Sequence, residues 1–102
     1  MFTRHVIMKL KADAATEFTG MIEGEEIPLL LKQRGFRDQF TFIAPERSEA
    51  VCISFWNTEG HAEAYHRVGY PVELKALSKV LEGTPQALGS LLSCSRKILY
   101  FQ

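Results

Sequence analysis

Apolar and polar residues alternate along residues 2–11 and 36–44, and this period of two is expected of a β-strand with one buried face. Two further stretches also resemble strands: residues 50–57 are uncharged on both faces, and residues 86–95 are less regular. In the first stretch, one face carries Phe2, Val6, Met8 and Leu10. In the second, one face carries Phe36, Phe40 and Phe42, and the other carries Arg37, Gln39 and Thr41. The pattern therefore predicts four strands.

The third of these strands differs from the rest because neither of its faces is charged. One face carries Val51, Ile53 and Phe55, and the other carries Cys52, Ser54 and Trp56. A strand with one solvated face normally places polar residues on that face. We therefore expect both faces of this strand to be covered.

A helical period occupies the segment between the first two strands. Asp13 is expected to cap this helix, Pro28 to interrupt it and Gly35 to end it in the left-handed conformation. We predict one helix with a kink near Ile27. Three acidic residues precede the proline, and we interpret them as a solvated helix face rather than as paired acid/base carboxylates. They are Glu23, Glu25 and Glu26.

A second helical segment follows the third strand, and Thr58 is a suitable residue to cap its start. The sequence Gly69-Tyr70-Pro71 predicts a break in this helix, because proline removes a backbone donor. Beyond the break, a helical period continues through Leu74, Leu77 and Leu81. Gly83 is then expected to end the segment.

The predicted order is β-α-β-β-α-β, the ferredoxin-like arrangement of the α+β class. Right-handed crossovers place both helices on one face of a four-stranded antiparallel sheet. The other face needs a cover, since the third strand has no polar side to present to water. A second copy of the same sheet is the simplest cover, so we predict a homodimer.

Composition narrows the classes of function. The 102 residues suit one domain, and twelve basic against twelve acidic residues leave no net charge. Because the third strand also lacks lysine and arginine, we expect no nucleic-acid partner. The two cysteines, Cys52 and Cys94, lie in apolar stretches and are expected to be buried thiols. The sequence shows no signal-peptide pattern and no apolar run of about 20 residues, so we expect a cytoplasmic protein without a membrane partner.

Five segments of the chain carry a resemblance to a known family. They are Phe2-Thr-Arg-His-Val6, Ile27-Pro-Leu-Leu-Leu-Lys-Gln-Arg-Gly-Phe36, Ala50-Val-Cys-Ile-Ser-Phe-Trp56, Ala62-Glu-Ala-Tyr-His-Arg-Val-Gly-Tyr-Pro71 and Lys79-Val-Leu-Glu-Gly-Thr-Pro85. Together they resemble the antibiotic biosynthesis monooxygenase (ABM) domain family. This resemblance implies a dimeric α+β barrel, in which two sheets close into one barrel, with a single domain over residues 1–98. Residues 99–102 form a C-terminal tail that resembles the end of a protease-cleavage tag and is either native or left over from such a tag.

The resemblance implies a cofactor-independent monooxygenase that acts on a small aromatic or quinone-like compound. In such chemistry a base removes a proton from an enol or phenol, and the resulting anion passes an electron to dioxygen. On this interpretation Trp56 forms a flat wall, Tyr65 orients the substrate and Tyr70 closes the mouth of the pocket. His66 or His5 would accept the proton.

Each of these residues also has a structural interpretation. Trp56 would serve equally as a core or interface aromatic, and His66 as a solvated residue on the outer face of its helix. Tyr65 is expected to point inward, because it shares a stripe with Ala62 and Gly69. The alternative function is accordingly a non-catalytic dimeric barrel that binds a small apolar ligand or has a structural or regulatory role.

Neither a metal nor a cofactor is expected. His61 and His66 are five residues apart, which takes them off a shared helical face, and no cluster of cysteines or carboxylates completes a metal site. Related domains that degrade haem carry an axial histidine late in the second helix and an asparagine on the first strand. This chain departs from both, because the helix reads Leu74-Lys-Ala-Leu77 and the candidate on the first strand is His5.

Overall fold

A computed structural model of the protein describes residues 1–91, and the side chains of residues 1–87. Its four strands are β1 (Phe2–Leu10), β2 (Phe36–Ala44), β3 (Glu49–Trp56) and β4 (Leu81–Leu91). Its α-helices are α1 (Ala15–Met21), α2 (Ile27–Leu31) and α3 (Glu59–Leu77). A π-helical turn, Ile22–Glu26, joins α1 to α2, and a 3-10 turn, Pro45–Arg47, joins β2 to β3.

The strands form one antiparallel sheet in the order β2-β3-β1-β4. This is the predicted ferredoxin-like architecture, with the helices packed on one face of the sheet, and the predicted fold class is confirmed. In the register between the two central strands, Trp56 lies opposite Phe2 and Cys52 lies opposite Val6.

The core fills the space between the helices and the sheet, in two neighbouring clusters. The larger cluster is built around Phe18 and Leu77 and contacts Met8, Leu10 and Cys52 on the sheet. The smaller cluster consists of Phe2, Leu30, Trp56, Ala62 and Tyr65. The buried half of β3 therefore faces the helices, as its alternation predicts.

The first helical segment is continuous, with the π-helical turn between α1 and α2 and Pro28 as the second residue of α2. Close to the predicted kink at Ile27 the structure thus has a local change in helical period. The prediction that Asp13 caps the helix is wrong. Asp13 has a φ of +58°, and the residue at the cap position is Ala14, with no side-chain cap. Gly35 has the expected left-handed φ of +80°.

Helix α3 begins as predicted, because the Thr58 hydroxyl accepts a hydrogen bond from the backbone N–H of His61. The predicted break at Gly69-Tyr70-Pro71 is wrong, since one helix runs through Pro71 to Leu77. Gly83 does not end this helix either. It lies two residues into β4 with a φ of +70°, near an irregularity in the register with β1.

The faces of β2 differ from the prediction at its first residues. The register with β3 shifts by one residue between Phe36 and Asp38, so Phe36 turns toward the helices while Phe40 and Phe42 turn away from them. Phe36 packs edge-on against Trp56, with ring centroids 5.3 Å apart. A one-residue shift exchanges the two faces of a strand, which explains the error.

On the sheet face opposite the helices, residues 51–55 of β3 present no charged side chain, as predicted, while His5, Lys9 and Asp38 of the neighbouring strands lie on the same face. Phe40 and Phe42 are 52% and 59% exposed, and Ile7 is 38% exposed. Alternate residues of β3 on the same face are half-buried; these are Val51, Ile53 and Phe55. No helix within residues 1–91 is both long and apolar enough to span a membrane. Cys94, the end of the predicted fourth strand and the 99–102 tail lie outside the described residues.

Candidate functional site

A small cavity of about 20 Å³ lies between the helices and the sheet, and most of the polar side chains in this part of the core converge on it. The strands contribute Arg4, Gln39, Ser54 and Trp56, and helix α3 contributes Tyr65, His66, Tyr70 and Glu73. Apolar interiors rarely collect so many polar groups unless these groups bond one another or a ligand. This cavity is therefore the candidate site.

Trp56 forms the flat wall of the cavity. It is 1% exposed, and its ring centroid lies 5.5 Å from that of Tyr65. The indole N–H donates a 2.9 Å hydrogen bond to the hydroxyl of Ser54 on the same strand. The bond fixes the orientation of the ring and satisfies the only polar atom of the indole.

The polar wall of the cavity comes from one stripe of α3. Tyr65, Gly69 and Glu73 are spaced four residues apart, and the stripe continues to the buried Leu77. The Tyr65 hydroxyl donates a 2.8 Å hydrogen bond to Glu73 Oε2. Both residues are buried, and burial is the main reason that the pKa of each lies above its ordinary value.

A second buried carboxyl group, from the π-helical turn, lies near this pair. Glu26 is 3% exposed, and its Oε2 atom has no hydrogen-bond partner among the described residues. Burial first, and then the charge of Glu73, raise the pKa of Glu26 to about 7. The expectation that this acidic group is a solvated face holds for Glu23 and Glu25, which are exposed, but it is wrong for Glu26.

His66 and Tyr70 stand together at the edge of the cavity. Their rings stack with centroids 4.7 Å apart, and both side chains are half-buried. The Nδ1 atom of His66 is buried and has no hydrogen-bond partner within residues 1–91. His66 therefore lines the cavity instead of standing free on the outer face of α3.

Arg4 reaches the same cavity from β1. Its guanidinium forms an ion pair with Glu63 and lies over the ring of Phe2. Its Nε–H is buried and, like His66 Nδ1, finds no partner in the described part of the chain. Two residues that line one small cavity, Arg4 and His66, thus each carry a buried nitrogen atom without a partner among residues 1–91.

His5 does not line this cavity. In the register of β1 with β3 it lies opposite Ile53, on the sheet face that points away from the helices. Successive side chains on a strand point to opposite faces, so Arg4 faces the cavity and His5 cannot. The interpretation of His5 as the proton acceptor of this pocket is corrected accordingly.

A larger groove of about 220 Å³ adjoins the cavity along β2. It runs between the first helical segment and the strand, and its walls include Ile22, Ile27, Thr41 and Ile43. Gln39 lines both spaces, and within the described residues its side-chain amide donates one hydrogen bond, to the Thr41 hydroxyl at 3.3 Å. Gln39 therefore lies at the boundary between the cavity and the groove.

The sequence predicted that Trp56, Tyr65, His66 and Tyr70 lie near one pocket, and all four line the cavity. The sequence analysis did not identify Arg4, Glu26 and Glu73 as residues of the site. The position of Glu73 could have been predicted, because it lies four residues before Leu77 and eight after Tyr65, on one face of a continuous helix. The incorrect prediction of a helix break at Pro71 placed Tyr65 and Glu73 on separate helices.

Among the residues that the structure describes, no group of three histidine, cysteine or carboxylate side chains is arranged to hold a metal ion. Cys52 is buried beside the cavity with its sulfur 3.6 Å from the Thr41 hydroxyl. Burial raises the pKa of the Cys52 thiol to about 12, so it stays protonated at neutral pH.

The sequence matches no protein-family model and no curated protein. The fold does match solved structures. A monooxygenase of Streptomyces coelicolor, solved in complex with the ligand nanaomycin D, superposes with a TM-score of 0.77 at 19% identity, covering 98% of this chain and 92% of that one. A Deinococcus radiodurans structure named for antibiotic biosynthesis monooxygenases has a TM-score of 0.78 at 11% identity, covering 98% of this chain and 100% of that one. HapK from Hahella chejuensis has a TM-score of 0.78 at 13% identity, covering 93% and 95% of the respective chains. At these identities the likeness establishes the ABM-type fold alone.

Proposed function

We propose that this chain, with the fold of the antibiotic biosynthesis monooxygenases, binds a small hydroxylated aromatic compound in the cavity and oxygenates it without a cofactor. One observation carries the proposal. Arg4 and His66 line one cavity beside Trp56, and each has a buried nitrogen atom, Nε and Nδ1, without a partner in the described chain. A ligand oxygen that reached both nitrogen atoms would satisfy both.

The proposed proton transfer uses these two groups together. A neutral imidazole whose proton is on Nε2 presents Nδ1 as an acceptor, and the ligand hydroxyl would donate to it. When the O–H bond breaks, the proton moves to Nδ1 and the electron pair stays on the ligand oxygen. The Arg4 Nε–H would then donate to the resulting anion and stabilise it.

The anion is the species that reacts with dioxygen. It transfers an electron to dioxygen, and the two radicals combine to form a peroxide on the ring. The proton on His66 returns to the peroxide to give a hydroperoxide. Its O–O bond and the ring C–H bond then break, which leaves a quinone and releases one water that carries both hydrogens lost by the ligand. The remaining oxygen atom of dioxygen becomes the new carbonyl. A site walled by Trp56 and Tyr65 favours this sequence, because it keeps bulk water from the anion.

The size of the site limits the ligand. The cavity alone holds about one water molecule, so a ligand must displace Gln39 and occupy the adjoining groove. A groove of about 220 Å³ is smaller than the roughly 300–1,000 Å³ of sites for drug-sized ligands. We therefore expect a ligand of one or two rings.

A homodimer through the open sheet face is part of the proposal. Phe40, Phe42 and Ile7 expose a contiguous apolar surface that a monomer would leave in water. A second copy of the same sheet would bury this surface symmetrically.

The oxygenation test measures oxygen uptake by the purified protein in the presence of hydroxylated naphthalenes. We expect turnover by the wild type and a loss of about 100-fold or more for His66→Ala, the usual contribution of a positioned base. His5→Ala is the matched control, because His5 lies on the opposite face of the sheet and its loss should leave the rate unchanged. Equal rates for the wild type and His66→Ala would overturn the mechanism.

A non-catalytic ligand-binding barrel is the second candidate function. The observation that favours it is the near-complete filling of the cavity by its own side chains. Calorimetric binding of hydroxylated naphthalenes without oxygen uptake would establish this alternative and exclude the oxygenase.

A further inference from the structure

We propose that Glu73 fixes Tyr65 as a hydrogen-bond acceptor toward the cavity, so that the site selects ligands bearing a hydroxyl group over the corresponding ketones. The inference deepens the proposed function and rests on it for the location of the ligand. It assigns to Glu73 a positioning role that determines specificity through Tyr65.

The argument begins with the single hydrogen of the Tyr65 hydroxyl. A phenolic oxygen carries one donor hydrogen and lone pairs that accept. The hydrogen of Tyr65 is donated to Glu73 Oε2 at 2.8 Å. What Tyr65 can still offer to another group is therefore a lone pair.

Burial strengthens the hydrogen bond from Tyr65 to Glu73. Tyr65 is 7% exposed and Glu73 is 8% exposed, and both residues line the cavity. A hydrogen bond from a neutral donor to a carboxylate is stronger than one between neutral groups, and water has little access to replace it. Turning the hydrogen toward a ligand would leave a buried carboxylate with one partner fewer.

The hydrogen bond from Tyr65 also favours the ionised, accepting form of Glu73. It lowers the pKa of Glu73 against the larger effect of burial, which raises it. The charge of Glu73 in turn contributes to the raised pKa of Glu26. Arg4 from β1 and Tyr70 from α3 also face this region, while Glu25 of the π-helical turn is exposed.

The consequence for a ligand follows from matching donors to acceptors. A second hydroxyl group of the ligand, other than the one that donates to His66, can donate to the free lone pair of Tyr65. A ketone oxygen in the same position would face that lone pair with no hydrogen between the two atoms. Leaving such a buried pair unmatched typically costs about tenfold in affinity or more.

The test compares two ligands with the same two-ring skeleton, 1,5-dihydroxynaphthalene and 5-hydroxy-1-tetralone, by calorimetry in the absence of oxygen. Both keep one hydroxyl for His66 and differ at the second oxygen. The measured quantity is the ratio of their dissociation constants, which a general loss of fold or packing would not shift in favour of one ligand. We expect the wild type to bind 1,5-dihydroxynaphthalene about tenfold more tightly than 5-hydroxy-1-tetralone.

Three variants of the full-length protein report on the mechanism. Glu73→Leu removes the acceptor, so the Tyr65 hydrogen is free to point into the cavity and the preference should shift at least tenfold toward 5-hydroxy-1-tetralone. Tyr65→Phe removes both donor and acceptor, and it should abolish the preference. Glu73→Met also removes the acceptor while keeping the length of the side chain; it should give the same shift, and it replaces Glu73→Leu if that variant does not fold. Glu25→Gln, at an exposed position beside Glu26, should leave the ratio at the wild-type value.

The outcomes separate this inference from the proposed function. Equal ratios in the wild type and the foldable Glu73 variant would overturn the inference while leaving ligand binding and oxygenation intact. A ratio that shifts as expected, without oxygen uptake by the wild type, would support the inference and overturn the oxygenase. Failure of the wild type to bind either compound would overturn the inference together with the proposed ligand class.

Discussion

The ring of Tyr65 lies directly against Gly69, one turn further along α3. A β-carbon added at position 69 would stand 2.2 Å from Tyr65 Cε1, which is too close for any real contact. The missing side chain lets the Tyr65 ring lie along the helix, and its hydroxyl thereby reaches Glu73. The hydrogen bond between Tyr65 and Glu73 thus depends on Gly69, which is not itself among the residues that line the cavity.

Gly69→Ala is expected to destabilise the protein even though alanine is the better helix former. The clash with Tyr65 should outweigh the gain of roughly 1 kcal/mol in helix propensity and give a net loss of about 1–3 kcal/mol in the free energy of unfolding. Denaturant titration measures this change. Gly20→Ala in α1 is the matched control, because nothing lies within 4 Å of a β-carbon there, and it should stabilise the protein. A stabilising Gly69→Ala would show that the Tyr65 ring can move freely.

Glu26→Gln is expected to change how stability depends on pH. The pKa of Glu26 is raised from 4.5 to about 7 in the folded protein, so the fold favours the protonated carboxyl group. The stability that this group contributes is full below pH 4.5 and is lost as the pH rises through 7. The variant should therefore match the wild type at pH 4 and exceed it at pH 8, by about 2 kcal/mol.

Thermal unfolding at the two pH values, with Glu25→Gln as the control, measures the effect of Glu26. The exposed Glu25 should show no such difference. A Glu26→Gln variant that follows the wild type at both pH values would mean that Glu26 is ionised at little cost in the folded protein.

Cys52 is expected to resist alkylation in the native protein. The residue is 4% exposed, and the raised pKa of its thiol, about 12, leaves almost no thiolate at pH 8. Iodoacetamide should modify Cys52 at least tenfold more slowly in the folded protein than in guanidinium, as measured by peptide mass spectrometry. Equal rates in the two states would indicate that this part of the core opens frequently.

Phe42→Glu is expected to convert a dimer to a monomer. A carboxylate on the open sheet face would have to be buried without a partner in the proposed interface. Light scattering after size exclusion at micromolar concentration measures the mass. Leu31→Glu is the control, because Leu31 is 68% exposed but lies on the helical side of the protein. A monomeric wild type would contradict the proposed dimer.

The sequence by itself determined the order of the elements and the inward position of several site residues. Alternation and turn residues define the strands and the Gly35 stop, and a helical stripe orients Tyr65 toward the sheet. These features depend on residues that are neighbours in the chain, so local periodicity is sufficient to predict them.

Only the tertiary structure decided which polar residues enter the core. Glu26 and Glu73 belong to different helical segments, and each could equally have been solvated. Their burial depends on Tyr65, Arg4 and the cavity that these elements form together, which no local pattern encodes. The register shift at the start of β2 was equally unpredictable, because it arises from pairing with β3. The wall formed by Trp56 was therefore predictable from the sequence, whereas the carboxyl pair behind Tyr65 was visible only in the fold.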